Sequence, residues 1–246
     1  MNDGLKVLAI DSATEILGLA VAGYGAAFVD DAGSPEFFVE ERYDAGLQHG
    51  RTLGRELAGI LSGSGVSVEE LGLIVVSGGP GSFTGLRIGM STAKGISAGR
   101  RLPLVAVPTL YRFAGHLSWS RDIVVPVIDA RKKRFYAALY RMGERRSEDL
   151  DLSGSELRRR IEEERSLRGS EDAAAEPGVI LTGPHAGRFR ELFAAASDFI
   201  VDPEGRSSSL RAMVAEGVSR YRRGLLVAES EGPEYIRESD ARPPAG

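Results

Sequence analysis

Between Leu73 and Ala98 the chain reads as strand, glycine turn, helix, and this passage limits the fold more than any other. Leu73–Val76 is an apolar run, Gly78-Gly79-Pro80-Gly81-Ser82-Phe83-Thr84-Gly85-Leu86-Arg87-Ile88-Gly89 follows, and Thr84–Ala98 has helical spacing. Such a βα unit belongs to α/β proteins. Its helix N-terminus offers free N–H groups and the positive end of the helix dipole, where anions often bind. The glycines match neither common nucleotide code. Three residues separate Gly81 from Gly85, one more than the dinucleotide fingerprint allows, and no Gly-Lys-Ser/Thr follows, which excludes a P-loop. Gly-x-Ser-x-Gly is absent around Ser82, so no hydrolase elbow is present. Ser82 or Thr84 reads as the helix N-cap.

The glycines fall into two sets. Gly78, Gly79 and Gly81 suit a turn. Gly85, Gly89 and Ala93 recur every four residues inside the helix. A glycine in a helix interior costs about 1 kcal/mol relative to alanine, so something must offset it. An earlier helix, Leu47–Leu61, carries apolar Leu47, Leu53, Leu57, Ile60 and Leu61, and beside them the small residues Gly46, Gly50, Gly54, Ala58 and Ser62. Small residues at i, i+4, i+8 share one face and let another backbone come close. The stripes fit either packing on the chain's own sheet or a helix-bundle interface with a partner.

The remaining elements repeat. Leu5–Asp11, Ile16–Ala22 and Glu36–Tyr43 read as strands, and Leu104–Val107 and Thr109–Leu117 as strand and helix. The order then restarts with strands Ile123–Asp129 and Phe135–Tyr140, helix Ser155–Leu167, strand Val179–Thr182, helix His185–Ala195, strand Phe199–Val201 and helix Ser207–Tyr221. Both halves begin with a strand ending in Ile-Asp, at Ile10-Asp11 and Ile128-Asp129. A charged helix and an Ala/Glu/Ser/Gly-rich patch fill 143–178, and the end of the tail reads as disordered.

Cysteine is absent from the 246 residues, which removes disulfides, thiolate metal sites and cysteine nucleophiles. The formal charge of −4 provides no overall pull toward nucleic acid or membrane. No apolar run approaches the roughly 18 residues of a membrane span, and Asp11 and Glu15 interrupt the early apolar stretch where a signal peptide would lie, so the expected setting is the cytoplasm. The three histidines, His49, His116 and His185, are too scattered for a helical metal pair. Asp11 and Asp129 stand at strand ends, where α/β proteins bind ligands. Facing each other across a cleft they could orient Mg²⁺ near a phosphate, or each could serve only the turn after its own strand. Arg131, Lys132, Lys133 and Arg134 form a basic turn that suits either tRNA phosphates or a solvated hairpin tip.

Gly79-Pro80-Gly81-Ser82-Phe83-Thr84-Gly85-Leu86-Arg87-Ile88-Gly89 with Ala93-Lys94-Gly95 resembles the signature of the TsaB (YeaZ-like) family. Leu8-Ala9-Ile10-Asp11-Ser12-Ala13-Thr14, Val127-Ile128-Asp129-Ala130-Arg131 and Pro233-Glu234-Tyr235-Ile236-Arg237 add to it. The resemblance implies an α/β, two-lobed actin-like or sugar-kinase-like (ASKHA) fold with duplicated βββαβα lobes. Residues 1–107 would form the first lobe, 108–226 the second, and 227–246 a tail packing back on the first.

It also implies a subunit with no catalytic or metal-binding residues of its own, related to glycoprotease-like (peptidase M22-like) proteins. Such a subunit is required for threonylcarbamoyl transfer to N6 of adenosine 37 in tRNA and acts by binding a TsaD-like catalytic paralogue. Its expected interface, with TsaD or with a second copy when alone, comprises Leu47, Gly50, Leu53, Gly54, Leu57, Ala58, Gly85, Leu86, Gly89 and Ala93. A TsaE-like ATPase joins the assembly, and tRNA is met mainly through the complex. Asp11, Ser12, Asp129 and Gly183 would form a vestigial nucleotide site, with no tightly bound cofactor and ATP or ADP with Mg²⁺ at a partner interface. Ala13 replaces the glycine usual in the phosphate hairpin, and Gly183-Pro184-His185-Ala186-Gly187 only echoes the adenosine-site glycines. The rival expectation is an actin-like ATPase or small-molecule kinase using Asp11 and Asp129 with Mg²⁺.

Overall fold

The computed structural model describes residues 4–25, 34–44, 46, 48–166, 177–193, 198–207 and 209–236. Strands β1 (Leu5–Asp11), β2 (Ile16–Tyr24), β3 (Phe37–Asp44), β4 (Leu73–Gly79) and β5 (Leu104–Pro108) form one sheet in the order β3-β2-β1-β4-β5. The first three strands run antiparallel, while β1, β4 and β5 run parallel. Helices α1 (His49–Ser64) and α2 (Phe83–Arg100) connect them.

A second sheet repeats this order. Strands β6 (Ile123–Asp129), β7 (Arg134–Ala137), β10 (Leu150–Ser153), β11 (Val179–Thr182) and β12 (Phe199–Val201) run β10-β7-β6-β11-β12, and the small strands β8 (Tyr140–Arg141) and β9 (Glu144–Arg145) attach to β6. Again the three-strand meander is antiparallel and β6, β11 and β12 are parallel. Helices α3 (Thr109–Ala114), α4 (Gly154–Ser166), α5 (Ala186–Glu191) and α6 (Arg211–Arg222) complete the chain. The duplicated lobes inferred from the two Ile-Asp strands are present.

Both sheets are covered on both faces, which is why their central strands read as unbroken apolar runs rather than alternating ones. In the first lobe Leu8, Ile10, Leu17, Leu19, Ile74 and Val76 meet α1 and α2. Val7, Ala9, Ala20, Ala22 and Val75 point the other way and meet Met213, Val214 and Val218 of α6. Residues 108–226 would be the second lobe by sequence, yet α6 lies against the first sheet. Small side chains make room for it: Ala9, Ala20 and Ala22 line the sheet, and a Cβ on Gly217 would stand 2.5 Å from Val75. In the second lobe Phe135, Phe189 and Phe199 cluster with Leu157 and Ile161, and the Phe135 and Phe189 rings meet edge to face at 5.4 Å. The opposite face of that sheet packs Leu110, Phe113 and Ala114 of α3 against Val124 and Ile128.

Three elements differ from their sequence reading. The single strand expected over Phe135–Tyr140 breaks into β7 and β8. Strand β10 lies in a stretch where Asp149 and Asp151 mask its period. The helix expected over Ser207–Tyr221 begins only at Arg211, after a short helical turn at Gly205–Ser207. Most of the Gly169–Pro177 patch, and the tail end expected to be disordered, lie outside the described residues.

Gly217→Val should overpack the α6–β4 contact and cost about 1–3 kcal/mol, read as a lower urea midpoint with an unchanged slope.

Candidate functional site

The turn after β4 is consumed by the protein itself. Ser82 caps α2, its Oγ accepting from the Gly85 N–H at 3.3 Å. The Ser82 N–H donates to the Ala13 carbonyl at 2.7 Å, and the Gly79 N–H to Thr109 Oγ1 at 3.2 Å. Gly79 has φ +120°, and a Cβ there would collide with the Glu234 carbonyl of the returning tail. A Cβ on Gly81 would overlap the Ala13 carbonyl, one on Gly85 the Ser12 carbonyl, and one on Gly89 the Ser12 hydroxyl. Ser12 Oγ donates to the Gly85 carbonyl at 2.8 Å. The glycines therefore admit the β1–β2 turn and the tail, and these N–H groups have partners within the chain.

Of the expected interface residues, Gly85, Leu86, Gly89 and Ala93 of α2 and Leu53 of α1 are buried on their own lobe. At Gly85 and Gly89 the close approach of Ser12 offsets the helical glycines from within the chain. Gly50, Gly54 and Ala58 are exposed, Leu57 is half-buried, and Leu47 lies outside the described residues.

More small residues cover the outer face beside those named from the sequence. Gly59 and Gly63 of α1 and Ser91, Ala98 and Gly99 of α2 are exposed, as are Ser62 and Gly95. The space beside Gly54, Gly59, Gly63, Gly95 and Gly99 is open. Gly50 and Ile88 bring the two helices together, with 3.4 Å between a Cβ at Gly50 and Ile88 Cδ1. The Gly95–Gly99 spacing of four was the available signal. It was hidden because Gly85 and Gly89 show the same spacing one face away.

The tail borders this face. Val227 N–H donates to the Leu104 carbonyl and Glu234 N–H to that of Gly78, at 2.8 and 2.7 Å. Lys94 Nζ donates to the Glu229 carbonyl at 2.6 Å. Tyr235 stacks on Phe83 with 4.8 Å between centroids and accepts from Arg87 Nε at 3.1 Å. The Arg87 guanidinium lies 3.8 Å from the centre of the Phe83 ring.

Asp11 and Asp129, the two strand-end carboxylates, are both engaged. Asp11 is fully buried and pairs with Arg112 of α3, Oδ2 to Nε 2.8 Å, while its Oδ1 accepts from the Ala13 N–H at 3.1 Å. Burial lowers the Arg112 pKa and Asp11 opposes that effect. Asp129 Oδ1 accepts from the Arg131 N–H at 2.8 Å, and its other oxygen pairs with Arg188. Gly183 sits at φ +89° against Val127.

Ion pairs also cross between the lobes. Arg206 reaches Asp44 at 3.0 Å and Glu15 at 4.0 Å, and the His185 ring lies 3.9 Å from Glu15, a contact that becomes an ion pair only when the ring is protonated. Among the described residues no three His, Cys, Asp or Glu side chains gather as a metal site would need. The ATPase or kinase expectation would require Asp11 to leave a buried arginine, and breaking such a pair costs several kcal/mol. His49 instead donates from Nε2 to the Thr14 carbonyl at 2.6 Å, and His116 bonds Asp202 at 2.9 Å.

Comparison with known proteins follows the same lines. A family model described as TsaD, tRNA N6-adenosine threonylcarbamoyltransferase, matches residues 43–168 of the 246. The tRNA threonylcarbamoyladenosine biosynthesis protein TsaB of Escherichia coli K12 is 32% identical over 143 residues, 57% of each chain. That of Bacillus subtilis is 35% identical over 81 residues, 33% of this chain and 35% of its own. At most, then, the matched stretch spans little more than half the length of these relatives. The solved structure of YeaZ from Pseudomonas aeruginosa superposes with a TM-score of 0.69 at 20% identity, covering 94% of this chain and all of that one. The duplicated sheets, bridged by ion pairs, define a two-lobed α/β protein with the fold of the YeaZ structure. The chain belongs to the TsaD family, and the curated proteins it resembles within that family's pathway include those named TsaB. Among the described residues no helix is long and apolar enough to cross a membrane.

Arg112→Met should destabilise the fold by about 3–5 kcal/mol by stranding Asp11, and adding Asp11→Asn should recover much of that loss in denaturant titrations. Burial lowers the His185 pKa from 6.5, outweighing the pull of Glu15 and Asp129. The unfolded chain then binds more protons than the folded one, so stability is lost as pH falls through the ordinary histidine range. His185→Gln should lose less stability than the parent between about pH 7.5 and 5.5 in thermal melts.

Proposed function

We propose that this chain is a non-catalytic subunit in the formation of threonylcarbamoyladenosine at position 37 of tRNA. Its role is to dock the outer face of α1 and α2 onto a TsaD-like catalytic paralogue. The observation that carries the proposal is the row of open helical glycines, Gly54, Gly59, Gly63, Gly95 and Gly99. Each costs about 1 kcal/mol of helix stability, and unlike Gly85 and Gly89 none has a neighbour among the described residues to offset it. A partner helix laid across the face would supply that neighbour. Lacking the paralogue, two copies of this chain would use the same face to pair.

The names of the curated relatives and of the family model support the pathway, and Asp11 held by Arg112 supports a subunit that leaves the chemistry to its partner. We place the TsaE-like ATPase and tRNA contacts in the assembled complex, and ATP or ADP with Mg²⁺ at the partner interface rather than in this chain's own cleft. The assembly would work in the cytoplasm.

Size-exclusion light scattering of a mixture with the TsaD-like paralogue encoded in the same genome tests the reading. A complex is expected, and its persistent absence would refute the proposal. Ala58→Trp and Gly95→Trp place a ring on the open face and should weaken association at least about tenfold with little change in melting temperature. Gly89→Leu would instead unseat α2 from Ser12 and lower stability, so it cannot isolate the interface.

A further inference from the structure

A cavity of about 370 Å³ lies between the C-terminal half of α6 and the β8–β9 hairpin, on the opposite side of the first sheet from α1 and α2. Its walls are Tyr111, Tyr140, Arg145, Glu216, Arg220 and Arg223. Three guanidinium groups thus face one carboxylate. Glu216 Oε1 accepts from both Arg220 Nε, at 2.8 Å, and Arg223 NH2, at 3.3 Å, so one acceptor serves two cations. Arg145 is tied to Asp149 and to the Ser147 carbonyl behind the wall. Burial pushes the Asp149 pKa up to about 6, with Arg145 opposing the rise and Glu234 adding to it.

Tyr140 is nine-tenths buried or more, and its hydroxyl has no hydrogen-bond partner among the described residues. Tyr140 lines the cavity together with Arg145 and Glu216. A buried hydroxyl without a partner is an uncompensated desolvation cost. Tyr111 meets Tyr140 edge to face at 6.1 Å, and both rings line the cavity beside the cations.

We propose that this cavity binds a small phosphate monoester carried on a planar ring, of nucleoside monophosphate size. The phosphate would accept from the spare N–H groups of Arg220 and Arg223, and the Tyr140 hydroxyl would donate to it. The ring would lie against Tyr111. The volume falls within the range of small-molecule sites. The site is separate from the cleft between the sheets and from the helical face, and the inference does not depend on the reading of that face.

Calorimetric titration of the full chain with AMP, inorganic phosphate and adenosine tests it. AMP should bind saturably, with phosphate and adenosine each at least about tenfold weaker, because each supplies half of the contacts. Arg223→Gln, at an exposed position, should weaken AMP about tenfold without changing the melting temperature. Tyr140→Phe should weaken AMP while leaving the fold at least as stable, since it removes a hydroxyl that has no partner. No saturable binding at millimolar AMP would overturn the proposal. Binding that survives Arg223→Gln unchanged, adenosine matching AMP, or a Tyr140→Phe protein that is less stable yet binds normally would do the same.

Discussion

The β1–β2 turn pressed into the glycines of α2 is the contact on which the rest of the first lobe depends. The Ser12 and Ala13 carbonyls stand where side chains at Gly85 and Gly81 would be, so β1 and α2 meet backbone to backbone. Ser82 N–H and Ser12 Oγ close that contact with two hydrogen bonds. Once α2 is seated, its opposite side faces solvent, Ile88 sets α1 beside it, and the tail crosses its first turn through Phe83, Arg87 and Tyr235. The smooth outer face exists because the inner face is also smooth. Both sides of α2 lack bulk, and only the inner one is filled from within the chain.

A second constraint sits where related architectures open a ligand cleft. Asp11 closes β1 and faces Arg112 from the helix that joins the two sheets. A carboxylate buried without a countercharge would shift its pKa or unfold its surroundings, so the pair ties the strand end to the inter-lobe helix. Arg206 and His185 add bridges to Asp44 and Glu15. These contacts make the region between the lobes a structural joint and turn attention to the molecule's surfaces.

Most elements were legible in the sequence. Ile123–Asp129, Val179–Thr182 and Phe199–Val201 occur as read, since runs of β-branched residues bounded by polar turns leave few alternatives. The duplication was visible in the two Ile-Asp strands, and the sheet orders repeat it. Strand β10 was missed because an edge strand with Asp151 at its centre lacks an apolar period. The lobe that α6 covers was missed because Met213, Val214 and Val218 specify an apolar face and not which sheet receives it. Of the candidate site, the four-residue glycine spacing was legible, but that Ser12 fills the side of Gly85 and Gly89 was not. The role of Arg112 could not be read at all, since nothing local distinguishes it from any other arginine in the chain.

By itself the sequence determined what local chemistry determines: the period of each element, the cap at Ser82, the turn glycines, and stripes of small residues on two helices. It also carried the family signature. Tertiary structure alone decided which glycines are filled and which are open, and which carboxylate is neutralised. Side-chain period is a property of one segment, whereas close approach is a property of two. Gly85 and Gly95 are equivalent until the Ser12 carbonyl arrives at one and none of the described residues arrives at the other.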